Sequence, residues 1–301
     1  MESKSEDKKI NIGSLNFNTP FNLFIKNICH ETLETMVMHK NIGIEGSEKK
    51  CSVVLFKTKL VKSDIIDSKD FINDKTKLSS VLILEMNQFF NIDYEIKDKV
   101  FNLILVYMSM SPNGKSLNYT QITLKFDNIN EGKIFRYFLE KYKTIYWQEF
   151  FEKTIPISPP YIYQQHFFIK NEDNKMVVLT DKYLINIEYQ ISLNKKAEQN
   201  QHAIDFKIYK VKWTLYIGAF EELQFIGRDK KKKLPDLMIK IKLNSKKNKD
   251  FANKQKLPYK SKSAFDFVFF NEKVSRYFIY QIKRLYYDIT KTNNIKVTEN
   301  L

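Results

Sequence analysis

The chain is poor in the residues from which the commonest enzyme motifs are built. Its 301 residues include seven glycines, seven prolines, four histidines and two cysteines. No glycine falls into GxGxxG or GxxxxGK[ST], the loops whose backbone N–H groups cradle nucleotide phosphates. His30, His39, His166 and His202 show no HExxH spacing, and no GxSxG elbow presents a nucleophilic serine. Cys29 and Cys51 are too few for a disulfide framework or a zinc quartet, and they fit a reducing, intracellular setting. Cys29-His30 reads as a core thiol beside a surface imidazole. The pairs Glu221-Glu222 and Asp64 with Asp67 lack neighbours that would raise a carboxylate pKa. The expectation is a protein that is not an enzyme, with no catalytic residue, metal, cofactor or small-molecule substrate.

Long apolar runs are scarce as well. Val100 to Met110 is interrupted by Asn102 and Ser109, and it has about half of the ~20 residues a spanning helix needs. The opening MESKSEDKK mixes both charges, so no secretory leader is expected. The expected location is cytoplasmic, at a membrane periphery or on a cytoskeletal or ciliary structure. Hydrophobic residues make up 43% of the chain and aromatics 14%, enough for two ordinary cores. The net charge of +15 is unevenly spread. Residues 1–155 hold 22 basic against 20 acidic side chains, whereas 156–301 hold 28 against 15. The positive excess belongs to the second half.

That half also looks like a copy of the first. Val81 to Ile96 lies without a gap on Met176 to Ile191, matching Leu84/Leu179, Asn91/Asn186, Ile92/Ile187, Tyr94/Tyr189 and Ile96/Ile191. Asn130-Glu131 with Arg136-Tyr137-Phe138 recurs as Asn271-Glu272 with Arg276-Tyr277-Phe278. Two copies predict tandem domains.

Thr19-Pro20 reads as an N-cap with proline at the first helical position, and the apolar spacing from Phe21 to Val37 predicts a helix over 19–40. From Cys51 the pattern changes to alternating or short buried runs, predicting strands over 52–61, 80–94, 100–110 and 117–126. Pro112-Asn113-Gly114 supplies turn chemistry between the last two. A helix over 128–153 follows, with an apolar stripe through Phe135, Leu139, Tyr142, Tyr146 and Phe150. Pro156, Pro159 and Pro160 then mark a linker. Strands are predicted over 165–170, 176–189, 206–215, 223–226, 237–243 and 264–270, with a closing helix over 271–291. The expected domains are an extension (1–45), module 1 (46–153), a linker (154–163), module 2 (164–292) and a tail (293–301).

The fold class this predicts is α+β and mainly β, each module a bent antiparallel sheet or barrel closed by a C-terminal amphipathic helix. That order resembles the pleckstrin-homology (PH) fold. In the second copy MVVLTDKYLINIE, then FKIYKVKWTLYIGAFEELQF and a helix, resembles the tail-homology region of class I myosins, itself PH-like. The resemblance implies phosphoinositide binding by basic residues in the loop joining the first two strands. Here that loop is Lys170 to Lys175, where Glu172 and Asp173 stand between the lysines and would repel a polyphosphate.

The sharpest functional signal is a lysine-rich insertion over 228–262, with 14 basic residues against Asp229, Asp236 and Asp250. Arg228, Lys230, Lys231, Lys232, Lys233, Lys246, Lys247 and Lys249 are the candidate anion-binding residues. An acidic membrane leaflet and an acidic protein surface, such as the tails of tubulin, both fit. Nucleic acid fits less well, because no aromatic residue interleaves the run before Phe251. The bland alternative is a solvated loop. Phe151, Tyr280 and Tyr287, off the main helical stripes, are candidate aromatic anchors for a partner. The function expected is a tandem adaptor on an anionic surface. Its alternative is a structural subunit of a large assembly, ciliary, organellar or RNA-protein, whose basic loops order on neighbours.

Overall fold

The computed structural model describes residues 25–26, 29–63, 81–110, 117–155, 161–168, 175–193, 204–226, 237–269 and 272–300. These divide into two compact units. The first takes the described residues up to Ser109 and Asn118–Glu140; the second takes Met110, Leu117 and the residues from Lys141 onward. The fold is α+β and mainly β, and no sheet closes on itself among the described residues.

The first unit contains β1 (Met36–Ile44), β2 (Ser47–Phe56), β3 (Lys59–Ser63), β4 (Val81–Glu85), β5 (Phe89–Lys97), β6 (Val100–Met110) and β7 (Leu117–Phe126). They form one sheet in the order β4-β3-β2-β1-β7-β6-β5, joined in the middle where Gly43 and Ile44 face Lys125 and Leu124. β2 is a continuous buried run from Cys51 to Phe56 because both of its neighbours are strands and both of its faces are covered. The expected helix over 19–40 is corrected at its end. Met36 to Lys40 open β1 and pair with Phe56 to Val53 of β2, while Leu33–Thr35 form a 3-10 turn and Ile25–Lys26 are helical. Spacing of three and four is compatible with the apolar residues there, but the ladder to β2 satisfies the backbone of both strands at once.

Helix α1 (Ile129–Thr154) begins with the Asn128 side chain accepting from the backbone N–H of Asn130 and Glu131. After Gly132, its buried residues run Phe135, Leu139, Lys143, Trp147, Phe151, a strict four-residue series. The expected stripe through Tyr142, Tyr146 and Phe150 is therefore turned by one position, and Ile134 and Ile145 are left exposed. Residues 129–140 belong to the first unit and 141–154 to the second.

The second unit contains β8 (Tyr163–Phe168), β9 (Lys175–Thr180), β10 (Tyr183–Leu193) and β11 (Ile204–Tyr216) in one antiparallel sheet. A second sheet takes β12 (Phe220–Ile226), β13 (Leu237–Leu243), β14 (Ala264–Phe269) and β15 (Lys296–Asn300) in the order β14-β13-β12-β15, with β15 parallel to β12. Helix α2 (Ser245–Gln255) lies between β13 and β14, and α3 (Glu272–Thr290) follows β14. Phe278, Ile282 and Leu285 of α3 enter a core shared with Phe167, Leu179, Leu215, Leu223, Ile239 and Phe267. Each such fully buried side chain contributes about 1.5–3 kcal/mol. On the other face of β8–β11, Trp147 of α1 packs on His166 and Phe206 at ring distances of 4.3 and 5.2 Å.

The two units follow one strand plan. In each, a 3-10 turn joins the last strand of a four-strand run to the next strand: Met86–Gln88 between β4 and β5, Ile217–Ala219 between β11 and β12. Both turns are fastened identically, Met86 N–H donating to Thr58 O and Ile217 N–H to Lys182 O, each at 3.0 Å in the preceding tight turn. This equates β2 with β9, β3 with β10, β4 with β11 and β5 with β12. The 81–96 segment forms β4 and β5, whereas 176–191 forms β9 and β10, so their sequence match joins strands that occupy different places. The structural counterpart of Val177-Val178-Leu179 with Leu184 is Val53-Val54-Leu55 with Leu60, all eight buried. The Arg-Tyr-Phe match does hold: Arg136 covers the Tyr94 ring at 4.4 Å, and Arg276 covers Phe225 at 4.9 Å on the equivalent strand.

Candidate anion-binding surface

The expected insertion is not one loop. Its residues 237–243 form β13, in the middle of a sheet, and 245–255 form α2. Lys240 and Lys242 of β13 are engaged by Asp266 at 3.9 Å and Glu222 at 2.8 Å. Arg228 and Lys230 to Lys233, like Lys170 to Asn174 and the Pro112–Gly114 turn, lie outside the described residues.

Helix α2 is held at both ends by hydrogen bonds that its sequence makes available. The Asn244 side chain accepts from Lys247 N–H at 2.9 Å, the usual role of an N-cap asparagine. Asn244 N–H in turn donates to Ala219 O at 2.9 Å. At the other end Lys256 takes a left-handed conformation (φ 56°), and Leu257 N–H donates to Ala252 O at 2.9 Å. Pro258 O then accepts from both the N–H and the hydroxyl of Thr214, at 2.8 and 2.7 Å. Asn248 and Ala252 are the buried face. Asn248 Oδ1 accepts from Tyr216 N–H at 2.8 Å, and Phe251 stacks on the Tyr216 ring with centroids 3.8 Å apart. Gly218 makes room for that ring, since a Cβ there would lie 2.7 Å from two of its carbons.

The outer face is lysine. Over residues 244–262 seven lysines stand against Asp250 alone. Lys246, Lys249, Lys254, Lys256, Lys260 and Lys262 are exposed. Lys247 is partly committed, because its ammonium donates to Gly218 O at 2.6 Å and ties α2 to the 3-10 turn. Lys246, Lys247 and Lys249 sit in the first turns of α2, and its first turn has no acidic residue. Cations there oppose the helix dipole at a cost of about 0.3–1 kcal/mol each, so the arrangement lowers stability and concentrates positive potential. Beside it opens a shallow cavity of about 510 Å³, lined by Tyr216, Asn244, Lys246, Lys247, Asp250, Phe251 and Lys254.

The aromatic candidates separate. Tyr280 and Tyr287 are 60% and 47% exposed on α3, on the side away from the core, with Tyr277 close to Tyr280. Phe151 is corrected: it is fully buried, stacked on Trp147 at 5.1 Å and against Tyr163 at 5.6 Å. The turned stripe of α1 places it in the core, where it cannot anchor a partner.

Each unit also holds a polar cluster, part-buried in the first and buried in the second. In the first unit Lys59 reaches Glu31 at 3.3 Å and Glu85 at 3.8 Å. Burial raises the Glu31 pKa, but bonds from Thr58, Thr35 and Lys59 outweigh it and leave the net shift downward. Burial pushes the Glu85 carboxyl up despite Lys59, and the Cys29 thiol up to about 12. In the second unit Tyr163 and His166 Nδ1 share a 2.6 Å hydrogen bond, and burial, with help from Lys143, holds His166 well below its ordinary value. No group of three or more His, Cys, Asp or Glu side chains able to hold a metal occurs among the described residues. No described helix is long and apolar enough to cross a membrane. No family model matches this chain, and no curated protein matches it.

Proposed function

We propose that the chain is a tandem adaptor of two PH-like modules, non-enzymatic, which attaches to an anionic membrane leaflet through the lysine face of α2. The PH-like reading is supported by the strand plan that both units share: four strands, a 3-10 corner, three strands and a closing helix. The observation that carries the attachment is the set of exposed lysines on α2 and the loop after it, opposed by Asp250 alone and held on a helix fastened at both ends. Every cation over 244–262 is lysine and none is arginine. Lysine is a hydrated point charge without the fork that recognises a single phosphate or carboxylate, so the patch suits a diffuse anionic surface. In the first unit the β1–β2 hairpin turns on Glu45 and Gly46.

Each lysine near an acidic leaflet contributes about 1 kcal/mol, so replacing Lys246, Lys249 and Lys254 by serine should weaken binding by roughly 100-fold. The test is co-sedimentation with vesicles of neutral lipid, with and without phosphatidylserine. Binding that requires the anionic lipid, falls with salt and is lost in the triple variant supports the reading. Equal binding of the variant, or binding to an acidic tubulin-tail peptide but to no vesicle, overturns it.

A further inference from the structure

The second unit displays what the first leaves open. Along β12 the outer edge is covered by β15, which runs parallel with Leu223 facing Val297, Gln224 facing Thr298 and Phe225 facing Glu299. Val297 packs against the core, and Glu299 accepts from Arg276 at 3.3 Å, the arginine that covers Phe225. Phe225 is 1% exposed as a result. Strand β5 is the equivalent of β12, and it ends its sheet: among the described residues it pairs with β6 alone. Tyr94, in the place of Phe225, is 41% exposed and Ile96 is 49% exposed. Arg136, in the place of Arg276, has the same ring beneath it, and its Nε bonds Glu140 within its own helix at 2.9 Å.

The backbone is set up in the same way. The β5–β6 hairpin turns on Asp98 and Lys99, both with positive φ (50° and 64°), as a two-residue turn of the hairpin type requires. Lys97 and Val100 then close the ladder. Alternation sends the N–H and C=O of Asp93 and Glu95 toward β6, and those of Ile92, Tyr94 and Ile96 outward. Consistent with this, Tyr94 N–H is capped by the Asp93 carboxylate at 2.8 Å and not by a strand. Such a capped, acidic edge resists casual pairing, and its charge selects what can pair.

We propose that the outer edge of β5 is a docking site for an extended segment of a partner protein, added parallel to β5 as β15 is added to β12. The chemistry of the partner follows from the register. Opposite Ile92 it carries an apolar side chain, as Val297 does opposite Leu223. Beside Tyr94 it carries a carboxylate that bonds Arg136, as Glu299 bonds Arg276. At the two positions beside Asp93 and Glu95 it carries lysine or arginine, where the chain's own β15 has Thr298 and Asn300. The recognised pattern is therefore apolar, basic, acidic, basic in consecutive residues. Specificity comes from those side chains and affinity from the main chain. This surface is separate from the lysine face of α2 and does not depend on it.

The experiment uses the full chain and a synthetic peptide of residues 294–300 carrying Thr298→Lys and Asn300→Lys, followed by amide hydrogen exchange and fluorescence anisotropy. The expected result is slowed exchange at Ile92, Tyr94 and Ile96 and saturable binding. A peptide that also carries Val297→Asp should lose both. Ile96→Pro should abolish binding while β5 and β6 stay paired, because that N–H faces outward, where proline is tolerated. Glu95→Lys, at an exposed position, should weaken binding about two- to five-fold through like charge across the strands and serves as the variant least able to disturb folding. The proposal is overturned if the peptide protects none of the three amides. It is equally overturned if they are already protected in the chain alone, as monomer or as dimer, since the edge would then be occupied by the chain or its copy.

Discussion

Replacing Gly132 by alanine sets two well-measured effects against each other, and the structure decides which wins. Gly132 lies in the first turn of α1, buried against Phe101 of β6. In a free helix the substitution is worth about 1 kcal/mol of added stability, because glycine is the poorer helix former. Here the new Cβ would stand 2.3 Å from Cδ1 and 2.7 Å from Cγ of Phe101. The ring cannot step aside easily. It is fully buried, stacked on Tyr94 at 5.2 Å and set edge-on to Phe126 at 6.3 Å. Overpacking of this kind costs about 1–3 kcal/mol, and a contact this short belongs at the upper end, so the net effect should be a loss of about 1–2 kcal/mol. With a denaturant slope of about 1–3 kcal/mol per molar urea, the midpoint should fall by roughly 0.5–1 M. Far-UV circular dichroism is the suitable probe, since Trp147 and Trp213 both belong to the second unit. Adding Phe101→Leu to Gly132→Ala should return part of the loss. A Gly132→Ala midpoint equal to or above that of the parent would refute the close approach of α1 to β6.

Other expectations follow from the same contacts. His166 is held below its ordinary value, so the folded second unit binds fewer protons than its unfolded chain. Stability should therefore fall as pH drops below about 6.5 toward the folded pKa, a loss read from Trp147 fluorescence. His166→Phe should be less stable at pH 7, having left the Tyr163 hydroxyl unpaired, yet lose less between pH 7 and 5. Glu31, with its pKa held down, should contribute stability above the ordinary carboxylate range that disappears as pH falls through its folded value. Glu31→Gln should accordingly differ from the parent at neutral pH and converge with it in acid. Arg276→Leu should cost more in a urea melt than Arg136→Leu, because Arg276 also holds Glu299 of β15; equal costs would count against that fastening. Phe251→Ala should destabilise by about 1–3 kcal/mol, less than a fully buried phenylalanine, and loosen α2 from Tyr216.

The regular elements with one covered face were legible because their period is written in apolar residues. β6, β7, β13 and α3 fall within a residue or two of the ranges 100–110, 117–126, 237–243 and 271–291 that the sequence pattern predicts. What misled was pairing, which periodicity does not encode. Met36 to Lys40 satisfy a helical spacing and a strand equally, and only β2 across the ladder decides. The segments 80–94 and 176–189 each hide a corner, one a 3-10 turn at Met86–Gln88 and the other a tight turn at Asp181–Lys182. Without those corners the match of 81–96 to 176–191 joins strands of unequal place. The signal that would have found the true match was present: Val-Val-Leu followed five residues later by Leu occurs at 53–60 and again at 177–184.

At the candidate surface, charge composition marks the stretch 228–262 but does not encode its form. Lysines read as a loop because α2 has little apolar face to reveal it, only Phe251 and Ala252 besides a buried Asn248. An asparagine N-cap at Asn244 and a lysine in the left-handed conformation at its end are weak signals beside seven lysines. β15 was invisible for a related reason: five residues, Lys-Val-Thr-Glu-Asn, carry one apolar side chain, and the strand exists because β12 had an open edge to receive it.

The central claim is that the lysine face of α2 is what meets the anionic surface. It is tested most directly by an environment-sensitive fluorophore placed on a cysteine at Asn253, exposed on α2, and in a second protein at Glu45, exposed on the β1–β2 turn of the first unit. With Cys29 and Cys51 buried, labelling is selective in both. On mixing with phosphatidylserine vesicles the account predicts a blue shift at Asn253 that is reversed by salt, and none at Glu45. A shift at Glu45 alone, or none at either position while the protein still sediments with the vesicles, would contradict it.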